Sequence, residues 1–312
     1  MSSIFNTAKI AIPAAGRPPS AVDLTPQGVL AAALPAQGNT PVYAFVALPA
    51  GAMVPGIEGV NLRQPEVVAA AIRTALDEVS PPKRAITLVL PDSLVRVFVL
   101  DFDSLPGKPA EAIPVLRFRL RKMVPFEVEH AGISYQVLSQ DRDQTRVLAA
   151  ILPGPILAEY EAAVRAAGYE PGAVLPSSLA ALEAMDSMEA VLATNLSCQG
   201  LTTTIANGND LLLYRTLDLP EDPAQRIGEI QRGIAVAAAY YEDKLQVRPQ
   251  HLYYAGNASL GEFSAWVDNP ELTVVDLAPR PESGVLTTLG SASTAAVAGA
   301  LALHTTARAG AL

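Results

Sequence analysis

Apolar and polar positions along this chain fall into short blocks with two different periods. Ala21–Leu24, Val29–Leu34 and Val42–Leu48 are apolar runs too short for helices and punctuated by Gly and Pro, which predicts three strands joined as hairpins. Pro65 then opens a helical pattern to about Val79, with Val67, Val68, Ala71, Ile72 and Leu76 as its inner side, and Ala85–Leu90 reads as a further strand. The order returns later. Val191–Leu196, Leu201–Ala206 and Leu211–Leu217 are three strands, the last two joined by an Asn207-Gly208 turn. A helix over Pro223–Leu245, a strand at His251–Ala255, a helix near Leu260–Trp266 and a strand at Leu272–Val275 complete the set. Strand, strand, strand, helix, strand, helix occurring twice predicts a duplicated α/β architecture, although the two halves share no evident sequence repeat.

A different arrangement separates the halves. Over Ser93–Phe102, Val95, Val97 and Val99 alternate with Arg96, Phe98 and Leu100, so a strand with apolar groups on both faces is expected. A helix from Ala110 to about Met123 follows, with Ile113, Leu116, Leu120, Met123 and Val124 as its buried stripe. Strands at Gly132–Ser139 and Arg146–Leu152 flank an Asp141–Gln144 turn. A helix over Pro155–Ala167 comes next, stopped by Gly168. Residues 1–19, rich in Pro, Ala and Ser, form an irregular lead-in. The expected units are then 20–90 (first half), 91–153 (inserted strand–helix–strand–strand subdomain), 154–188 (return to the first half) and 189–312 (second half). In the last, Ala292–Leu303 carries so many small residues that it is expected to pack closely on the first half as a returning helix.

Composition narrows the function. Hydrophobic residues make up 50% of the 312 but aromatics only 5%, so the core must be built from small side chains in close layers. With 22 Lys and Arg against 31 Asp and Glu, the net charge is −9, the wrong sign for a nucleic-acid partner. The one cysteine, Cys198, excludes an internal disulfide or a multi-cysteine zinc site, and reads as a small loop filler. The start lacks a signal-peptide pattern and Val285–Leu303 is too rich in Ser, Thr and Gly to span a membrane, so a soluble, cytoplasmic chain is expected.

Catalytic motifs are missing. No GxxxxGK[ST], GxGxxG or GxSxG pattern occurs. His130, His251 and His304 are isolated, and Asp101 and Asp103 read as a solvated strand end. No metal ligand or catalytic residue is assigned. Arg117, Arg119, Arg121 and Lys122 make a basic cluster in an acidic protein, readable either as a solvated face with arginine stems on apolar surface or as a docking surface.

Several segments, in order, carry a resemblance. They are Pro91-Asp92-Ser93 before a strand ending Val99-Leu100-Asp101-Phe102, the Leu105-Pro106 turn, and Leu116–Phe126 with its final Pro-Phe step. Tyr135-Gln136-Val137-Leu138, Leu213-Tyr214-Arg215-Thr216-Leu217 and Tyr240-Tyr241-Glu242-Asp243 follow. Together they resemble the PilM family of type IV pilus assembly proteins, relatives of FtsA. The resemblance spans most of residues 20–305 and implies an actin-like (ribonuclease-H-like) α/β fold.

In active members of that superfamily two hairpins with Asp-x-Gly grip phosphates, and a Gly-Gly pair lies against the adenosine. Here the first hairpin, Asp23 to Leu30 with Gly28, keeps Asp23, but Thr25 stands in place of Gly, Pro26 removes a backbone donor, and Leu30 takes the Lys position. At the second, Asn195 and Ser197 replace Asp and Gly; at the third, Gly256 is followed by Asn257. The expectation is a degenerate nucleotide cleft with no hydrolysis and no cofactor, ATP and magnesium being disfavoured.

What the resemblance implies instead is a non-catalytic adaptor at the cytoplasmic face of the inner membrane, a pseudo-ATPase. Its partner would be the cytoplasmic tail of a PilN-like membrane protein, lying in a groove between the inserted subdomain and the first half, with Arg117, Arg121 and Phe126 beside it. Pilus motor ATPases are a further expected partner, and membrane contact would be indirect. The rival readings are a divergent but nucleotide-binding ATPase, and the cytoplasmic actin-like part of a type II secretion platform protein. Proteins of that second kind normally continue into a membrane span that this sequence does not contain.

Overall fold

The computed structural model describes residues 17–35, 40–185, 187, 189–208, 210–278 and 292–309, with side chains of the last segment described to Ala302. Most of the expected lead-in, residues 1–16, lies outside the described residues, as do positions 285–291 of the Val285–Leu303 stretch and the side chain of His304.

The first lobe opens with strands β1 (Ser20–Thr25), β2 (Gly28–Ala33) and β3 (Val42–Ala47), helix α1 (Pro65–Val79) and strand β4 (Ala85–Leu90). An inserted unit follows: a short 3₁₀ turn at Asp92–Leu94, then β5 (Arg96–Phe102), α2 (Pro109–Leu120), β6 (Gly132–Gln140) and β7 (Thr145–Leu152). The chain returns through α3 (Gly154–Ala166), β8 (Glu170–Pro176) and α4 (Ser177–Leu182). The second lobe comprises β9 (Ala190–Leu196), β10 (Gly200–Asn207), β11 (Asp210–Asp218), α5 (Pro223–Leu245), β12 (His251–Gly256), α6 (Leu260–Val267) and β13 (Thr273–Asp276). Helix α7 (Ala295–Ala309) follows.

The duplication is visible in the sheets. One has the order β3-β2-β1-β4-β8 and the other β11-β10-β9-β12-β13, while β5-β7-β6 form a separate antiparallel sheet. In each large sheet the first three strands are antiparallel hairpins and the fourth and fifth run parallel to the first. Strand β1 is buried along almost its whole length, which requires a sheet covered on both faces. Small residues make that possible. Ala31, Ala32 and Ala33 of β2 are fully buried, and α1 and α7 both pack on that strand. Gly299 of α7 lies so close to α4 that a Cβ there would stand 1.8 Å from the Ala180 carbonyl oxygen.

The second lobe has its own core. Ile230, Ile234, Ala237 and Tyr241 form the inner stripe of α5, and Tyr254 of β12 stacks on Phe263 of α6 with centroids 3.9 Å apart. Asp222 caps α5 by accepting from the Gln225 N–H at 2.9 Å, with Pro223 at the first helical position.

Three local expectations need correction. The strand expected from Ser93 begins at Arg96, because the 3₁₀ turn takes Asp92–Leu94. Helix α2 ends at Leu120, so Met123 lies beyond it and is 40% exposed; the helix buries Ala112, Leu116 and Leu120. In α1 the inner side runs through Val68, Ile72, Ala75, Leu76 and Val79, leaving Val67 exposed. Strand β8 and helix α4 are elements that the sequence pattern did not announce.

Candidate functional site: the interlobe cleft and the subdomain groove

The two hairpins that face each other across the lobes, β1–β2 and β9–β10, bound a cleft of about 270 Å³. Asp23, Thr25, Pro26, Asn195, Ser197, Gly256 and Asn257 all line it, so residues far apart in sequence converge at one place. Gly28 does not line the cleft. A Cβ on it would stand 2.4 Å from the Phe45 ring and 2.6 Å from the Val46 carbonyl oxygen, so this glycine seats β3 against β2. Gly256 is similarly constrained, with Leu196 Cβ and its carbonyl oxygen both 2.8 Å from a notional Cβ.

In each hairpin turn a side-chain hydroxyl bonds the turn's own backbone. The Thr25 hydroxyl accepts from the Gly28 N–H at 3.3 Å and donates to the Gly28 carbonyl at 2.9 Å. The Ser197 hydroxyl accepts from the N–H groups of Gln199 (3.3 Å) and Gly200 (2.9 Å) and donates to the Gly200 carbonyl at 3.1 Å. Arg226 of α5 donates to the carbonyls of Cys198 (2.9 Å) and Ser197 (2.7 Å), holding the second turn from behind. A phosphate-gripping turn presents free N–H groups and a cation to its ligand. Here the N–H groups of Gly28, Gln199 and Gly200 are engaged internally, Pro26 has none, Leu30 is buried at 2% exposure, and no Lys, Arg or His lines the cleft among the described residues.

The cleft floor is acidic. Asp92, buried at the start of the 3₁₀ turn, accepts four hydrogen bonds: from the Ser178 N–H (2.9 Å), the Ser178 hydroxyl, the Asn195 amide (3.1 Å) and the Tyr214 hydroxyl (3.1 Å). Asn195 also donates to the Ser177 hydroxyl at 3.0 Å. Burial and the neighbouring Asp92 carboxylate hold the Tyr214 phenol well above its ordinary range. Gln199 adds a second link between lobes, donating to the Pro55 carbonyl at 2.9 Å and accepting from the Ser93 hydroxyl at 3.4 Å. Asp23 differs from Asp92: it is 6% exposed, and its Oδ1 is buried with no hydrogen-bond partner among the described residues. Desolvation, reinforced by Asp92, pushes its carboxyl up to about 7. Asp92, Ser178, Tyr214 and Gln199 escaped the sequence reading as site residues. The only available signal was a carboxylate placed between Pro91 and Ser93 directly after a buried strand.

A second concavity, of about 210 Å³, lies where the inserted sheet meets the first lobe. Ile133, Tyr135 and Gln136 of β6 and Leu148 of β7 form one wall, Leu157 of α3 and Val174 of β8 the other. Gln136 Oε1 is buried there without a partner among the described residues. Arg117, Arg121 and Phe126 are not among its lining residues. Arg117 donates to the carbonyls of Val128, Glu129 (2.9 Å) and Ala131, and Arg121 pairs with Glu129, while Phe126 packs on the subdomain core. Arg121 and Phe126 instead border a shallow depression running to Glu129.

Two lobes with the same sheet order, facing each other across a cleft, with a small sheet inserted after β4, define this chain as a protein of the actin-like fold. Among solved structures, a chain of the PilM–PilN type IV pilus biogenesis complex shares it with a TM-score of 0.66 at 19% identity, over 92% of this chain and 98% of that chain. The cytoplasmic domain of EpsL, an inner membrane component of the type II secretion system of Vibrio cholerae, gives 0.50 at 13% identity, over 93% and 94% respectively. Neither a protein-family model nor a curated protein matches the sequence. Among the described residues no helix is long and apolar enough to cross a membrane, and no group of three or more potential metal ligands occurs.

Proposed function

We propose that this chain is a non-catalytic, actin-like adaptor of a type IV pilus inner-membrane platform. It would bind the cytoplasmic tail of a PilN-like membrane protein and attach to the inner membrane through that partner. The observation that carries the non-catalytic part is the internal capping of both hairpin turns by Thr25 and Ser197. With the Gly28, Gln199 and Gly200 N–H groups engaged and no basic side chain in the described lining, the turns offer little preorganised positive charge to a transferring phosphate. The fold shared with the PilM–PilN complex supports the partner, and the groove between β6–β7 and α3–β8 offers an extended apolar segment a place with one unmet acceptor, Gln136. Pilus motor ATPases are proposed as further partners of the assembled platform. The similarity to the EpsL domain, at lower identity, makes a type II secretion platform the second reading.

Calorimetry tests both parts. The full chain is titrated with the N-terminal cytoplasmic segment of a PilN-like protein from the same genome, and separately with ATP and magnesium. The expected result is saturable peptide binding, weakened by Leu157→Asp or Gln136→Ala, and no heat with ATP. Micromolar ATP binding overturns the non-catalytic reading; absence of peptide binding, or binding indifferent to both groove variants, overturns the partner assignment.

A further inference from the structure

The cleft has lost the groups that hold phosphate, yet it remains a cavity of about 270 Å³ with a carboxylate in its wall. Buried polar atoms are nearly always paired, so an exception calls for an explanation. Asp23 is such an exception: it is more than nine-tenths buried, it lines the cavity, and its Oδ1 has no partner among the described residues. Asp92 is saturated by Ser178, Asn195 and Tyr214 and supplies no donor to it.

We propose that the interlobe cleft binds a small aliphatic ammonium compound, its cationic head on the Asp23 carboxylate and its methylene body against Leu30, Phe45, Leu196 and Ala296. Three features select this class. First, the described lining contains two carboxylates and no basic side chain, so the field repels phosphates and other anions and attracts cations. Second, a bond from an ammonium to a carboxylate is charge-assisted and stronger than one from a neutral donor. Third, Leu30, the cross-strand neighbour of Asp23 in the cleft wall, and Phe45, the next residue across the sheet, are apolar, which suits methylene groups. A cavity of about 270 Å³ is ample for a four- or five-carbon diamine. Cys198 is the only other titratable residue in the described lining besides Asp23 and Asp92.

Ligand binding is coupled to a proton. The elevated Asp23 carboxyl holds a proton in the free protein near neutrality, and a bound ammonium favours the ionised form, so binding at mildly acid pH releases a proton to the buffer.

The test is calorimetric titration of the full chain with 1,4-diaminobutane and with 1-butanol, a neutral compound of similar carbon length. Saturable heat with the diamine and none with the alcohol is expected. At about pH 6 the heat should differ between two buffers of unequal ionisation enthalpy, by the release of the Asp23 proton. Asp23→Asn, which conserves side-chain volume and removes a buried charge, should weaken diamine binding at least about tenfold and abolish the buffer dependence. No saturation up to about 10 mM, equal binding of the alcohol, or unchanged binding by Asp23→Asn overturns the proposal.

Discussion

Asn195 donates its side-chain amide to Asp92 at 3.1 Å, joining the second lobe to the first across the cleft floor. The second lobe's Tyr214 hydroxyl reaches the same carboxylate at 3.1 Å, and Ser178 meets it from α4. A bond of this kind between protein groups holds the lobes together with no ligand between them.

That network should be coupled. Asp92→Ala leaves four donors of Ser178, Asn195 and Tyr214 without their acceptor and should cost about 3 kcal/mol or more, whereas Tyr214→Phe should cost about 1 kcal/mol. A double-mutant cycle over Asp92 and Asn195, read by urea denaturation, should show an interaction energy well above the noise. Additive losses would mean that the two lobes are held elsewhere.

Stability should depend on pH through Asp23. Its carboxyl, at about 7 in the folded protein against an ordinary 3.8, binds its proton more tightly folded than unfolded. The folded state is therefore favoured below the lower value and loses that advantage as pH rises through the higher, by at most about 4 kcal/mol. Asp23→Asn lacks this loss, so its melting temperature should approach that of the parent near about pH 4 and exceed it near about pH 8. A gap that stays constant with pH would show that the carboxylate is not perturbed.

The Arg17–Glu183 pair ties the start of the described chain to the end of α4, with both side chains almost fully buried and a second bond between them of 2.8 Å. Arg17→Ala breaks this buried pair and should cost about 3–5 kcal/mol, while Arg17→Met with Glu183→Leu, which removes both charges together, should cost less. Chemical denaturation of the three proteins decides it.

Gly299→Ala should loosen α7. Its Cβ would overlap the Ala180 carbonyl and lie 2.9 Å from the Ala184 nitrogen, so the helices must separate, at a cost of about 1–3 kcal/mol or more. Gly261→Ala, where nothing lies within 4 Å, is the matched control and should be nearly neutral in thermal melts.

Much of the fold was legible because its elements carry local signals. Helix α1 at Pro65–Val79, α5 at Pro223–Leu245 and strand β4 at Ala85–Leu90 all lie where apolar period and Pro caps put them. Strand β8 was not legible because Glu170-Pro171-Gly172 reads as a turn, and only pairing with β4 makes it extended. Helix α4 lacks a capping side chain of its own; its Ser178 N–H is met by Asp92, 86 positions earlier in the chain. The residues expected in the cleft, Gly28 excepted, do converge there, since the pattern that marks each hairpin is local. The Asp92 network was not legible, because each of its bonds joins residues distant in sequence and no single segment betrays it.

Helix α7 follows the second lobe in sequence but packs on β1, β2, β4 and α4 of the first. During synthesis the second lobe can assemble from contiguous chain, whereas the first must wait for the last helix to leave the ribosome. Until then the small apolar residues of its sheet stand open to solvent and to chaperones. The lobe made first is thus the one finished last, and a nascent chain halted before Ala295 is a client for quality control rather than half a protein.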